Sequence, residues 1–447
     1  MLRAVIDIPR WLFLGALVFA PWAFGSTPLW TIEVFVFLTA TILTFWLAGC
    51  ALRKMPPLIP STMACCVALV LIEGWSMALN PYFRDAGDFV LQPVVPLLNW
   101  APGSVDKATS IAAMTRLSCL LGIACFVSDT AARREWRHRI WWTVGATGVS
   151  LILFGLFQSA SARPILFWGS AEARVPYFAS YYYHGNAGSF INLVLPLVAG
   201  LAILTIRKPD LHLARAIWLP GFSVCAAGAF VNVARSATVV SILLCGILVA
   251  WQFKGSVRNE LLPPRRLRLL YALLMTFLLF CLVSFSGWER PAQKWAMMAS
   301  QLNSANARLV STKVCLQMVP DAGWHGFGPG TFPLVFPHYT GALGAAIPGI
   351  WRYAHDDYLQ TLIEWGWLGA GLWSLLFFGG MARLFSNWRK TRAFGTSDRV
   401  LLFTSGLALA GVALHALVDF PLQIASLQLY AATYIGFGWG SDAWIKR

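Results

Sequence analysis

The chain has 447 residues, 58% of them hydrophobic and only 12% charged, with 22 Trp and a formal net charge of +15. Soluble domains carry about a quarter charged residues, so this composition excludes an ordinary soluble enzyme and describes a polytopic membrane protein. The positive charge could suit nucleic acid, but the basic residues sit in short loops between apolar runs, where membrane orientation explains them with no nucleic acid partner.

Arg3 and Arg10 precede the first apolar run, and no small-residue cleavage site follows it. The start therefore reads as a first transmembrane helix rather than a cleaved signal. A span needs about 20 apolar residues. On that rule about twelve spans are expected, near 11–25, 30–52, 59–79, 108–128, 139–159, 185–206, 216–233, 235–253, 268–287, 357–384, 399–418 and 421–441. With the N-terminus placed in the cytoplasm, ten cations fall outside: Arg84, Lys107, Arg163, Arg174, Arg235, Arg290, Lys294, Arg308, Lys313 and Arg352. Arg116 lies within a span, and the other 23 of the 34 Lys and Arg lie inside, which puts both termini in the cytoplasm. The expected fold is all-α, with three parts: helices one to nine over 1–287, a large outer loop with a helical segment over 288–356, and helices ten to twelve over 357–447. Most cysteines lie in apolar runs with no CxxC or Cys/His spacing, so neither a disulfide nor a metal site is expected.

Three outer segments are long. Asn80 to Lys107 is Pro-rich and reads as a cap on the bundle. Ala160 to His184 ends in an aromatic run, Tyr177 to Tyr183, that suits an interfacial belt or a platform for sugar rings. The third, Trp288 to about Asp356, begins with helix-like spacing. It then passes through Gly323-Trp324-His325-Gly326-Phe327-Gly328-Pro329-Gly330-Thr331-Phe332, a turn cluster with no Lys-Ser/Thr to make it a phosphate loop.

The stretch Arg352 to Gly369 concentrates the chemistry. His355 sits between Arg352 and the acids Asp356 and Asp357, where a helix enters the membrane. Asp357, Gln360, Thr361 and Glu364 fall at i, i+3, i+4 and i+7 and form one polar stripe. A stripe of this kind must face protein or a wet cavity rather than lipid, and Gly366 and Gly369 below it invite a neighbouring helix to approach. The helix dipole disfavours an imidazolium at His355 while the acids favour it, which suits a general base. Arg235 and Ser236 open another span, where helix N–H groups and a guanidinium make an anion site; a snorkelling Arg is the plainer alternative. Arg308 and Arg290 in the large loop are further cations. His184 is the second His candidate, with Asn186 after it. Arg116, about 12 Å below the outer surface at 1.5 Å per residue, is expected to pair with Glu73 or Glu364.

These pieces together resemble the O-antigen ligase and O-antigen polymerase superfamily of bacterial membrane glycosyltransferases. The resemblance rests on Arg352 to Gly369 with its Glu-x-Gly-x-x-Gly ending, Arg235-Ser236-Ala237, the turn 326–332, and His415-Ala416-Leu417-Val418-Asp419-Phe420-Pro421. One departure is Asp356, where many members have Asn. The resemblance implies a GT-C-like fold in the bacterial inner membrane and a metal-independent transferase without a cofactor. It takes a glycan from undecaprenyl pyrophosphate and passes it to an acceptor hydroxyl, lipid A–core for a ligase, at the periplasmic face. By the same carry-over His355 deprotonates the acceptor, and Arg235 and Arg308 hold the pyrophosphate. Asp356, Asp357, Gln360, Glu364, Arg352, Arg290 and Ser236 support them, and His184, Asn186 and Tyr183 are candidate glycan or acceptor contacts. A polymerase of glycan repeat units and a protein O-oligosaccharyltransferase share the donor. A lipid-linked sugar transporter is the alternative from another class, and the clustering of the candidate site at one face argues against it.

Overall fold

The computed structural model describes residues 2–161, 177–207, 212–253, 265–297, 307–341, 349–390 and 395–444. Among these, the apolar runs are helices: α1 (Leu2–Trp22), α2 (Leu29–Arg53), α3 (Ser61–Leu79), α4 (Lys107–Thr130), α5 (Arg134–Ala160), α6 (His184–Arg207), α7 (His212–Val231), α8 (Arg235–Phe253) and α9 (Arg265–Ser286). The large loop contributes α10 (Glu289–Ala296), α11 (Ala307–Ala322) and α12 (Phe332–Thr340), and α13 (Asp357–Arg389), α14 (Thr396–His415) and α15 (Ala425–Gly440) complete the chain. Each expected span falls on one of these helices. Eight of them (α2 to α7, α13 and α14) are long and apolar enough to cross a membrane, and α8 and α9 carry shorter apolar stretches. The protein is an all-α polytopic membrane protein. Its departures from helix are small: the Pro-rich segment after α3 holds a pair of short strands joined by five residues, β1 (Phe83–Asp85) and β2 (Leu91–Pro93), paired antiparallel.

Two apolar cores organise the chain. The main one runs through the bundle, with α6 most deeply enclosed; Leu193, Val194, Leu195, Leu197 and Val198 are all fully buried. A helix apolar all round is stable only when surrounded by others. The second core is smaller and lies under the large loop, where Val314, Cys315 and Met318 of α11 meet Phe332 and Phe336 of α12, Ala354 and Ile363. It seats the loop on the first turns of α13.

That seat depends on a break in α13. Gly366 has φ 60° and ψ −168°, a conformation essentially confined to glycine, inside a helix that otherwise runs 33 residues. The loop enters the gap: Phe327 donates to the carbonyl of Ile363 and Gly328 to that of Glu364, at 2.9 Å each. Trp367 donates back to Gly323 at 3.2 Å and Leu368 to Trp324 at 3.0 Å. The carbonyls and amides freed by the break are thus satisfied by the turn cluster. A Cβ on Gly366 would lie 2.3 Å from the Trp324 backbone, so the neighbour there is a loop rather than the expected helix. At Gly369 the close neighbour is the Glu73 carboxylate of α3, 3.1 Å from such a Cβ.

Candidate active site

The starts of α6, α8 and α13 and the end of α14 meet at one face. Asp356 is the N-cap of α13, accepting from the amides of Tyr358 at 2.9 Å and Leu359 at 3.0 Å. Burial pushes its carboxyl up, and the two amides work against that. Asp357 is 2% exposed and turns away from the His beside it. It accepts from the Leu422 amide at 2.8 Å and from Gln423 at 3.1 Å, fastening the short 3₁₀ turn Pro421–Gln423 to α13. Gln360 accepts from the Ala354 amide at 3.1 Å and donates to Glu364 at 3.0 Å. Glu364 in turn accepts from the amides of Gly330 at 2.9 Å and Phe332 at 3.4 Å. The stripe thus faces protein on one side and lines a cavity on the other, and its acids hold backbone in place.

His355 is therefore not governed by its sequence neighbours. It sits just before the cap with φ 56°, a left-handed conformation that costs on the order of 1–3 kcal/mol in a non-glycine residue. Held there, its Nδ1 lies 3.2 Å from Oδ1 of Asp419, 64 residues away in the α14–α15 connection. Trp351 and Phe420 meet its ring edge-on, with centroids at 5.3 and 4.8 Å. Asp419 is 2% exposed and shared. Tyr183 donates to its Oδ2 at 3.2 Å, and Arg308 donates to the Tyr183 hydroxyl at 2.7 Å. A continuous polar chain therefore runs from Arg308 through Tyr183 and Asp419 to His355.

A second branch leaves the same carboxylate. His415, fully buried at the end of α14, has Nε2 3.9 Å from Asp419 and 2.9 Å from the Ser236 hydroxyl, while its Nδ1 lies 2.7 Å from Ser189. Ser236 is the residue next to Arg235 in the first turn of α8. A Cβ on Gly185 would lie 2.3 Å from Oδ2 of Asp419, so the close approach of α6 to this carboxylate requires glycine.

Burial alone would raise the Asp419 carboxyl. The hydrogen bond from His355 and the charges of His415, His355 and Arg308 outweigh it and hold the group below the usual carboxylate range. Tyr183 moves the other way: burial and the neighbouring Asp419 charge raise its hydroxyl. Lys294 on α10 marks a third feature. Burial lowers its ammonium, and so do the guanidinium charges of Arg235 and Arg308. Three cations from three elements therefore share one neighbourhood.

The remaining expectations divide. The His184 carbonyl accepts from Asn232 at 2.9 Å and its ring packs edge-on to Tyr183 at 4.8 Å. Asn186 is 4% exposed and belongs to the first turn of α6. Arg352 is exposed and makes no ion pair among the described residues. Arg290 belongs to α10, but its side chain lies outside the described residues, as does most of the aromatic outer segment before Tyr177. The expected pairing of Arg116 is corrected: among the described residues it forms no ion pair with Glu73, which lies 3.4 Å from His325, nor with Glu364, whose oxygens are taken by amides. Asp419, His415 and Lys294 are the site residues that sequence reasoning passed over. His415 and Asp419 stood in a quoted motif, and their i,i+4 spacing at a helix end was the available signal.

Residues 220–374 match the protein-family model described as O-antigen ligase. The match spans Arg235, Lys294, Arg308, His355 and the stripe, and leaves Tyr183, His415 and Asp419 outside it. It supports the O-antigen ligase and polymerase superfamily and a glycosyltransferase-like enzyme. No curated protein matches the chain.

Proposed function

With an O-antigen ligase domain at residues 220–374, we propose that the protein transfers a glycan from undecaprenyl pyrophosphate to a hydroxyl of lipid A–core. The transfer takes place at the periplasmic face of a bacterial inner membrane. In this reading the chain crosses the membrane about twelve times with both termini in the cytoplasm. Residues 1–287 and 357–447 form the membrane parts, and 288–356 lie over the site.

The chain Arg308–Tyr183–Asp419–His355 is the observation that carries the proposal, because it joins a cation to a potential base across four separate segments. Asp419, held ionised, is an acceptor only, so the proton of a neutral His355 resides on Nδ1 and Nε2 keeps its lone pair. Nε2 takes the proton of the acceptor hydroxyl as that oxygen attacks the anomeric carbon. The bond from that carbon to the pyrophosphate oxygen breaks, and undecaprenyl pyrophosphate leaves as an anion. Arg235, Arg308 and Lys294 receive the developing charge, the role a bound metal ion fills in other transferases. Their mutual repulsion without substrate, visible at Lys294, is relieved when the anion arrives. Ser236 and His415 brace Asp419 from the side of Arg235, and Tyr183 lies where the glycan enters, beside His184.

The test is a reconstituted transfer assay with purified lipid-linked donor. His355→Ala should lower turnover by about 10²–10⁴-fold, the usual contribution of a general base. Turnover at the wild-type rate would overturn the assignment. Offering lipid A–core, free repeat unit and a pilin-like protein side by side tests the acceptor. Preference for either of the last two would replace the ligase reading with polymerase or protein glycosylation.

A further inference from the structure

On the far side of the outer end of α13 lies a cavity of about 450 Å³ between α4, α13 and α15. It runs along α4 from Ala113 to Ala124, about 16 Å at 1.5 Å per residue, and its walls are apolar, with Leu117, Leu121, Phe377 and Ala432 among them. One end is polar, formed by Arg116, Asp357, Glu364 and Gln428. The two acids there are already committed: Asp357 accepts from the Leu422 amide and Gln423, and Glu364 from the Gly330 amide and Gln360. Arg116 is not, and Gln428 is only by its Nε2, which donates to the Leu422 carbonyl at 2.6 Å. Nε of Arg116 and Oε1 of Gln428 are both buried without a hydrogen-bond partner among the described residues.

A buried guanidinium nitrogen without an acceptor is costly, and so is a buried amide oxygen without a donor. A water-filled pocket would satisfy both, but it would not need an apolar shaft reaching towards the middle of the bilayer. We infer that this cavity binds one anionic glycerophospholipid with a hydroxyl-bearing headgroup. One acyl chain fills the shaft, the phosphate lies on Arg116, and the headgroup hydroxyl donates to Gln428. The lipid would stand behind the rim that carries His355, against the opposite side of the segment fastened by Asp357.

This inference does not depend on the transferase reading, and a binding measurement tests it apart from activity. The protein is taken in nanodiscs containing phosphatidylglycerol, extracted in mild detergent, and its retained lipid counted by native mass spectrometry. Wild type should keep one phosphatidylglycerol, and Arg116→Lys should keep it too. Arg116→Gln should hold it roughly tenfold or more weakly, since a charge-assisted contact is lost. Ala432→Phe, which fills the shaft and leaves Arg116 in place, should exclude it while melting within a few degrees of wild type. Equal retention by wild type, Arg116→Gln and Ala432→Phe would overturn the inference. Displacement of phosphatidylglycerol by an equal amount of polyprenyl monophosphate, which has no headgroup hydroxyl, would overturn the assignment of the headgroup.

Discussion

Two buried charge networks lie at the ends of α14, and they are built differently. At its start, Arg137 of α5 grips Asp398 with two parallel hydrogen bonds of 2.9 and 2.7 Å. Its remaining nitrogen donates to the carbonyls of Ala131 and Ala132 at 3.3 Å, and the Trp444 ring lies 4.9 Å from the guanidinium carbon. Arg137 is 3% exposed and every nitrogen has a partner. At the other end a single carboxylate, Asp419, serves His355, Tyr183 and His415, and the cations around it repel one another. The first network is closed on itself and fastens α5 to α14. The second is open at one end, where the His355 side chain is 22% exposed. Burial of charge is common to both, so it is access at one end that separates the two.

The largest expected effect tests the open end. Asp419→Asn preserves shape but removes the ionised acceptor, so His355 loses its fixed tautomer. Transfer should fall about 10²-fold or more, and the melting temperature should fall at neutral pH, where the carboxylate's stabilisation is fully present. Because the Asp419 carboxyl is held below its ordinary range, the stability it lends is complete above about pH 4 and is lost as pH falls through that range. The Asn variant should therefore melt less pH-dependently than wild type in acid. Next comes the closed end. Arg137→Met leaves Asp398 with only His138, 3.6 Å away, and should cost about 3–5 kcal/mol, read as loss of folded protein on extraction. The fraction that survives should transfer normally. If it is instead catalytically dead, the two networks are not separable in the way described. Gly366→Ala, which forces a Cβ against the Trp324 backbone, should cost about 3 kcal/mol or more and loosen the large loop, measured as faster proteolysis between α12 and α13. The smallest effect belongs to Lys294→Ala, a several-fold fall in turnover, because one of the three cations that receive the leaving charge is removed. The same change should reduce the thermal stabilisation given by inorganic pyrophosphate.

Much of the architecture could be read directly, because lipid imposes a demand on sequence that is nearly local. Twenty apolar residues make a span whatever surrounds them, and α2, α8 and α13 begin within a residue of their expected starts. The first helix begins well before its apolar run at Trp11, since polar residues flanking a span can still be helical. The site was legible in part. His355, Arg308 and the polar stripe stood out as chemistry out of place in a greasy chain. Their partners did not, because pairing is a long-range event. Asp356 and Asp357 adjoin His355 in sequence yet serve as a cap and a clamp, while the acid that meets it comes from beyond the next helix. Arg116 failed for the same reason, since depth along a helix gives no direction around it. Tyr183 was read as a glycan contact, but it also carries the hydrogen-bond link between Arg308 and Asp419, the partner of His355.

The interruption at Gly366 has a consequence for how the enzyme could change over generations. Nine residues of α13, from Asp357 to Trp365, are tied to the extramembrane turn, whereas the 23 that follow answer to the bilayer and its neighbours. A drift in lipid thickness or in the greasy surface below the break would be absorbed at a swivel rather than passed upward as rotation. Substitutions on the lipid-exposed face of that lower stretch can therefore accumulate freely, while its buried Leu376, Leu384 and Asn387 and the upper turns, locked to the turn cluster, hold their places.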